Sequence, residues 1–262
     1  MISVTSAQLT AWIAAFLFPL ARILALIASS PVLGNKQIPM RIKISLAMLI
    51  TVIVAPNIPM PTNIEPASAE GLFILVQQIL VGLAMGFTMR LIFTAVEMAG
   101  DLAGMQMGLG FASFYDPVNA SYTPVIAQFL GILATLAFLS LNGHLYMLSA
   151  LSDSFQAFPI STTMPSAAAF RTLAEWGSTI FSHALQLAMP LIGSLMITNL
   201  ALGILTRSAP QLNIFAVGFP ITLTVGFVTL ALSLPYLAPM LEHVINEGVD
   251  TMQRIALQMG KH

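Results

Sequence analysis

Three stretches of this chain, residues 117–152, 176–206 and 208–241, contain no Asp, Glu, Lys or Arg. A helix needs roughly 20 apolar residues to cross the hydrocarbon core of a bilayer, so each stretch is long enough to hold one. Charged residues make up 7% of the whole chain, against about 25% in typical globular domains. This is too little polar material to cover a water-soluble fold. The sequence therefore predicts an all-α, polytopic membrane protein.

Apolar runs and turn signals divide the chain into about six long helices, which we expect to form hairpins. Pro residues within or near these runs, such as Pro19 and Pro190, predict kinks. We interpret the whole chain as one membrane domain, with N-terminal helices and an irregular loop up to about residue 123 and C-terminal hairpins after it. The predicted helices cover about 7–29, 42–54, 71–97, 124–151, 178–206 and 214–239, with a polar loop before 178 and an amphipathic tail at the end.

The composition gives no support to catalysis, metal binding or a cofactor. The chain has no Cys, which excludes disulfides, thiolate metal sites and Cys nucleophiles. Its formal net charge of −1 gives no reason to expect nucleic-acid binding. His144 and His183 have no carboxylate close in sequence, and the pair His243 and Glu247 is better explained as a solvated helix face. We predict a protein that is not an enzyme and holds no metal.

A polar stripe runs along the third predicted helix. At 100° per residue its members fall within about 60° of one another, and two glycines continue the same edge. An ionised side chain at bilayer depth must face a partner, water or protein. One interpretation is a proton or ion relay, and the other is a polar seam between helices with glycines for close packing. The second is the commoner arrangement. The stripe consists of Arg90, Thr94, Glu97 and Asp101, preceded by Gly82 and Gly86.

Residues 100–123 mix glycines with Met and aromatic side chains. Gly100, Gly104 and Gly108 recur every four residues, which suits close helix packing, and turn-forming residues follow them. Met is unbranched and polarizable, so it refills gaps as its neighbours change. The pattern predicts an irregular loop with an apolar, deformable face. A pore plug and an ordinary buried re-entrant loop both remain open as interpretations.

Two long segments resemble a known family. Residues 105–145 read MQMGLGFASFYDPVNASYTPVIAQFLGILATLAFLSLNGHL, and residues 202–223 read LGILTRSAPQLNIFAVGFPITL. Both are similar to the FliR family of the bacterial flagellar export apparatus, and the likeness covers most of the chain. It is loose over 54–71, over 152–178 and beyond 242. The wording NIFAVGFP favours the flagellar branch over the related injectisome branch.

The resemblance implies a role in protein export. Members of the family assemble with FliP and FliQ into a gate in the bacterial inner membrane at the flagellar basal body, and associate with FlhB and FlhA. Unfolded flagellar subunits pass through this gate. Alternatives are an injectisome export-gate homologue and, from a different class, a proton-coupled secondary transporter using Arg90, Glu97 and Asp101. The transporter is disfavoured because no pair of related halves is visible.

Carried onto this sequence, the resemblance implies a plug at about residues 105–122, which we call the plug segment. An apolar constriction of this kind excludes water and ions by dewetting. The resemblance also implies a turn joining two hairpin helices at about 208–218. The implied pore-facing residues are Met105, Met107, Phe111, Phe114 and Tyr115, the hinges are Gly104, Gly108 and Gly110, and the turn carries Arg207, Pro210 and Asn213.

Overall fold

The computed structural model describes residues 5–59, 64–110, 124–211 and 213–260. Within these ranges the chain is helical and has no strand, which confirms the all-α prediction. A short 3-10 turn, Ala55–Asn57, follows the second helix. The helices are α1 (Ser6–Ser29), α2 (Met40–Val54), α3 (Ala69–Gln106), α4 (Val125–Ser140), α5 (Gly143–Ala157), α6 (Ala167–Ser208) and α7 (Ile214–Met259).

Five of the described helices are long and apolar enough to cross a membrane: α1, α2, α3, α6 and α7. Helices α4 and α5 pass the same test only as a pair, and they are bent by 64° where they meet. Counting that pair as one broken span gives six, so the prediction of about six apolar helices is confirmed. Helices α6 and α7 contain 42 and 46 residues, far more than the roughly 20 that one crossing needs.

Local sequence signals explain where several helices begin. Thr5 caps α1 with a reciprocal pair of hydrogen bonds: its hydroxyl accepts from the Gln8 backbone N–H, and Gln8 Oε1 accepts from the Thr5 N–H. Ser68 precedes α3, and its hydroxyl accepts from the Gly71 N–H. Asn213 does the same for α7 through the Ala216 N–H. Each side chain satisfies a backbone donor that a helix start leaves without a partner.

The fourth predicted helix, 124–151, is wrong as a single element. The chain breaks at Asn142, whose φ of 56° places it in the left-handed region, and α5 starts at the next residue. Asn adopts this conformation more readily than most residues because its short polar side chain bonds locally. The uncharged run that was predicted to hold one helix therefore holds α4 and the start of α5.

The ends of three helices were also predicted wrongly. Helix α3 continues past Glu97 to Gln106, since Gly100 is held in it by packing on α4. Helix α6 begins at Ala167, because the stretch taken as a polar loop contains good helix formers. Helix α7 continues through Pro239 to Met259 and absorbs the predicted tail. For α3 a tertiary contact overrides the local signal, and for α6 the local helix propensity was underestimated.

The chain divides into two compact units. The first contains α1, α2, the part of α3 up to Leu91, α5, the start of α6 up to Gly177 and the end of α7 from Ile245. Its core packs α1 directly on α3: a Cβ at Gly82 would collide with the Arg22 carbonyl, and one at Gly86 would lie 2.6 Å from the Leu26 carbonyl oxygen. The predicted glycine edge therefore brings two helix backbones together.

The second unit contains the rest of α3, α4 and most of α6 and α7. Gly100 gives α3 its closest approach to α4, because a Cβ there would lie 2.6 Å from the Ala127 backbone nitrogen. Phe93 and Phe138 meet edge to face at 5.7 Å between ring centroids, a favourable aromatic geometry. Helices α6 and α7 are joined by a 3.0 Å hydrogen bond from the Thr229 hydroxyl to the Ser194 hydroxyl.

Candidate functional site

The C-terminal end of α3 is closed by a glycine in the left-handed region. Gly108 has φ of 85°, its N–H donates to the Met105 carbonyl at 3.1 Å, and the next N–H, of Leu109, donates back to the Gly104 carbonyl at 3.0 Å. This pair of bonds is the Schellman ending, which satisfies carbonyls that a helix end leaves unpaired. The predicted hinge Gly108 is thus the residue at which the chain leaves α3, and Gly104 and Met105 supply the acceptors.

Met107, the residue before that glycine, is buried against α7. Its side chain has 0% exposure, and its carbonyl accepts a 3.2 Å hydrogen bond from the Thr222 hydroxyl. Gly226 lies one turn further along α7. A Cβ at Gly226 would stand 2.6 Å from Met107 Cγ and 2.8 Å from its Sδ and Cε. The missing side chain of Gly226 makes the space that the Met107 side chain occupies.

The other residues proposed for the plug segment have different surroundings. Met105 is 56% exposed, and a Cβ added at Gly110 would meet nothing within 4 Å. The first described part of the plug segment therefore alternates an exposed Met with a buried one. Phe111, Phe114 and Tyr115 lie outside the described residues, so their pore-facing role stays a prediction.

The predicted polar stripe lies on an open face of α3. Arg90, Thr94 and Glu97 are exposed and Asp101 is half-buried, whereas Gly82 and Gly86 are buried against α1. Near Glu97 the neighbouring helix α4 has a glycine: a Cβ at Gly131 would lie 3.7 Å from Glu97 Cγ and Oε1. Gly82 and Gly86 thus pack on α1, whereas Glu97 lies beside α4.

The predicted hairpin turn falls between α6 and α7. Arg207 is exposed in the last turn of α6, where a cation interacts favourably with the negative end of the helix dipole. Pro210 follows the end of that helix and is exposed. Asn213 caps the start of α7, as described above. These three residues explain why one helix stops and the next one starts.

The sequence analysis missed Arg22, the largest fully buried side chain described. Its guanidinium donates from Nε to Gln78 Oε1 at 2.8 Å, from Nη1 to the Ser154 carbonyl at 2.8 Å and hydroxyl at 3.1 Å, and from Nη2 to the Phe158 carbonyl at 2.9 Å. Its Cζ also lies 4.2 Å from the centre of the Phe155 ring. We call this group the Arg22 node.

The Arg22 node places a cation at the C-terminal end of α5. Ser154 lies in the last turn of that helix and Phe158 is its C-cap, so the guanidinium faces the carbonyls that carry the helix's negative partial charge. A cation–π contact adds to the stabilisation. One sequence signal was available: Arg22 is a lone charge in the apolar run of α1, and such a residue in a membrane segment faces the interior of the protein.

The sequence of this chain is similar to those of known bacterial export proteins. Residues 13–248 match the profile of a family described as bacterial export proteins, family 1. The flagellar biosynthetic protein FliR of Pectobacterium carotovorum is 47% identical over 259 residues, covering 99% of both chains. FliR of Escherichia coli K12 is 46% identical over the same share of each chain. The chain belongs to the FliR family.

The similarity also includes a more distant FliR protein. FliR of Bacillus subtilis is 30% identical over 249 residues, which are 94% of this chain and 96% of that one. As a FliR family member the chain is a membrane-associated component of flagellum biogenesis and protein export. The resemblance found in the two quoted segments is therefore confirmed at the level of the family.

Proposed function

We propose that this FliR family chain is a subunit of the flagellar type III protein export gate in the bacterial inner membrane. In this proposal it assembles with FliP and FliQ, associates with FlhB and FlhA, and acts without catalysis. Its plug segment closes the channel until unfolded flagellar proteins pass. The relatives' shared name, flagellar biosynthetic protein FliR, supports the flagellar branch of the export apparatus.

The observation that carries the proposal is the open polar face of α3. Arg90 and Glu97 are exposed in a 38-residue helix that is otherwise long and apolar enough to span a membrane. Charged side chains within a membrane span face protein or water and not lipid. Their face must therefore be covered by neighbouring protein or by water, as in a subunit of a channel-forming assembly.

The start of the plug segment supports the proposal of an apolar seal that excludes ions and can still open. Met105 is exposed at the end of α3, and a Met side chain adapts to neighbours of varied shape. An apolar constriction excludes ions by dewetting and still yields to a passing chain. Phe111, Phe114 and Tyr115 are proposed to complete this constriction.

The test is a conductance measurement on cells that produce this chain together with FliP and FliQ. Replacing Met105, Phe111 and Phe114 with Ala together is expected to raise the ion leak across the membrane several-fold, because the constriction widens and wets. Met164→Ala is the matched control, since Met164 is similarly exposed but lies outside the plug segment. An unchanged leak, or failure of the chain to co-purify with FliP and FliQ, would contradict the proposal.

A further inference from the structure

Helix α7 contacts the end of α3 at Met107. Thr222 and Gly226 are four residues apart, so they lie on one face of α7, and both are buried. The Thr222 hydroxyl has two carbonyl acceptors in reach, Phe219 of its own helix at 3.0 Å and Met107 at 3.2 Å, and Gly226 leaves the space for the Met107 side chain. One α7 face thus contacts both the backbone and the side chain of a single residue.

Met107 lies at the position where the chain leaves α3. Met107 is the last residue before Gly108, whose φ of 85° turns the backbone out of α3. Met105, two residues earlier, is 56% exposed, whereas Met107 is 0% exposed. The residue that contacts Thr222 and Gly226 of α7 is therefore the one that precedes the turn.

We propose that Met107, Thr222 and Gly226 form a latch through which α7 positions the start of the plug segment. Thr222 and Gly226 are positioning residues, since they act on the plug only through Met107. This inference rests on the proposed function. It adds that a displacement of α7 releases Met107, and that this release changes where the chain leaves α3.

The chemistry of the contact suits a latch that opens. One hydrogen bond between neutral groups holds the backbone, which is a modest interaction. The atoms that fill the notch at Gly226 are Cγ, Sδ and Cε of Met107, the flexible end of an unbranched side chain. Rotation of the Met107 side chain out of the notch and loss of the Thr222 hydrogen bond together free the end of α3 from α7.

A cysteine pair tests whether the latch must open. The chain has no native Cys, so the Met107→Cys, Thr222→Cys variant has no other thiol within this chain. We expect it to cross-link on oxidation in the complete assembly and to lower export about tenfold, reversibly with reductant, because an S–S bond holds the two backbones within about 7 Å. Met107→Cys, Thr224→Cys is the control, since Thr224 lies on the exposed side of α7.

Two results of that experiment would overturn the latch. One is a cross-link that forms fully while export continues at the rate of the reduced protein. The other is an assembly that forms normally but whose 107 and 222 cysteines react no better than the control pair. A failure of the proposed function looks different, because the plug variants then leave the ion leak unchanged whatever the state of the cross-link.

Substitutions that keep the fold test the opposite direction, release of the latch. Thr222→Val removes the hydroxyl with little change of shape and is expected to raise the ion leak, whereas Thr222→Ser retains the donor and restores closure. Thr224→Val is the control, because the Thr224 hydroxyl bonds only within its own helix, to the Pro220 carbonyl. Equal leak in Thr222→Val, Thr224→Val and the unaltered chain, at equal abundance, would refute the latch.

Discussion

The Arg22 node and the Met107 contact join helices in different ways. At the Arg22 node four charge-assisted hydrogen bonds tie α1 to α3, α5 and the residue that caps α5. At Met107 one neutral hydrogen bond and a glycine notch join α3 to α7. Both side chains are fully buried. The first contact is directional and strong, and the second is apolar and adaptable.

The difference shows how one chain contains a fixed part and a yielding part. Hydrogen bonds from a buried cation are worth about 1.5–3 kcal/mol each, against about 1 kcal/mol for a typical neutral bond. A guanidinium also requires its acceptors in one planar arrangement. A Met side chain in a notch has several rotamers of similar energy. We expect the first unit to keep one packing and the end of α3 to tolerate alternatives.

The largest expected effect follows from removing the guanidinium. Arg22→Met keeps much of the buried side-chain volume but removes the donor to the Phe158 carbonyl and the Gln78 amide oxygen, while the Ser154 carbonyl keeps the Phe158 N–H. The free energy of unfolding should fall by about 3 kcal/mol or more, because each buried acceptor left without a donor costs about 1–3 kcal/mol. Denaturant unfolding of the purified protein in detergent measures it.

Arg22→Lys separates charge from geometry in the same measurement. Lysine keeps the positive charge but has no planar fork to reach several acceptors, so an intermediate loss is expected. If Arg22→Met proved as stable as the unaltered protein, the hydrogen bonds of the Arg22 node would not stabilise the fold, and the contrast with the Met107 contact would be refuted.

A matched pair of glycine substitutions gives the next largest difference. At Gly86 a Cβ would face the Leu26 carbonyl at 2.6 Å and the Ser30 nitrogen at 3.1 Å, backbone atoms that cannot move aside. Gly86→Ala should cost about 2–3 kcal/mol, within the range of overpacked cores. At Gly226 the Cβ meets only the flexible Met107 side chain, so Gly226→Ala should cost about 1 kcal/mol or less.

Gly193→Ala is the control for both glycines. Its Cβ meets nothing within 4 Å, and Ala is favoured over Gly in a helix by about 1 kcal/mol, so stability should be unchanged or slightly higher. Thermal unfolding of the three variants side by side ranks them. Equal costs at positions 86 and 226 would show that the notch is as unyielding as the α1–α3 crossing.

The smallest effect is expected at the surface. Arg171 and Glu175 form a 2.9 Å ion pair one helical turn apart on α6, with their side chains 81% and 65% exposed. Exposed pairs of this kind contribute about 0–1 kcal/mol. Arg171→Ala should therefore leave the midpoint of unfolding nearly unchanged and serves as the surface counterpart of Arg22→Met. A loss as large as that of Arg22→Met would mean that burial does not separate the two arginines.

Most of the fold was predictable because it depends on composition and periodic signals. Uncharged runs predicted the membrane helices, and the start of α1 carries a capping pair visible in sequence. The break at Asn142 carries a local signal that the single-helix prediction did not use, because Asn142 and Gly143 form a dipeptide typical of turns. The continuation of α3 through Gly100 depends on Ala127 of α4, a contact that sequence spacing alone does not show.

The candidate site was predictable only in part. The Met and Gly pattern near residues 104–110 was visible, but it did not distinguish exposed Met105 from buried Met107, because that distinction is made by α7. Gly226 carries no local signal of its role, because its partner Met107 is 119 positions earlier in the chain. Arg22 carries a signal of its own, a single charge in an apolar helix, but its partners lie 56 to 136 residues away along the chain, where the sequence does not reveal them.

The lengths of α6 and α7 have a consequence for how the cell makes this chain. At 1.5 Å per residue they extend about 63 and 69 Å, and tilts of up to about 40° cannot fit them into a hydrocarbon layer of about 30 Å. Only 28% of the most apolar window of each is buried by the chain itself. A copy that is synthesised before the proteins that cover it would expose apolar surface, on which chaperones and proteases act. Surplus copies should therefore be short-lived, so that the cell's stock of this chain follows the supply of the proteins that cover it.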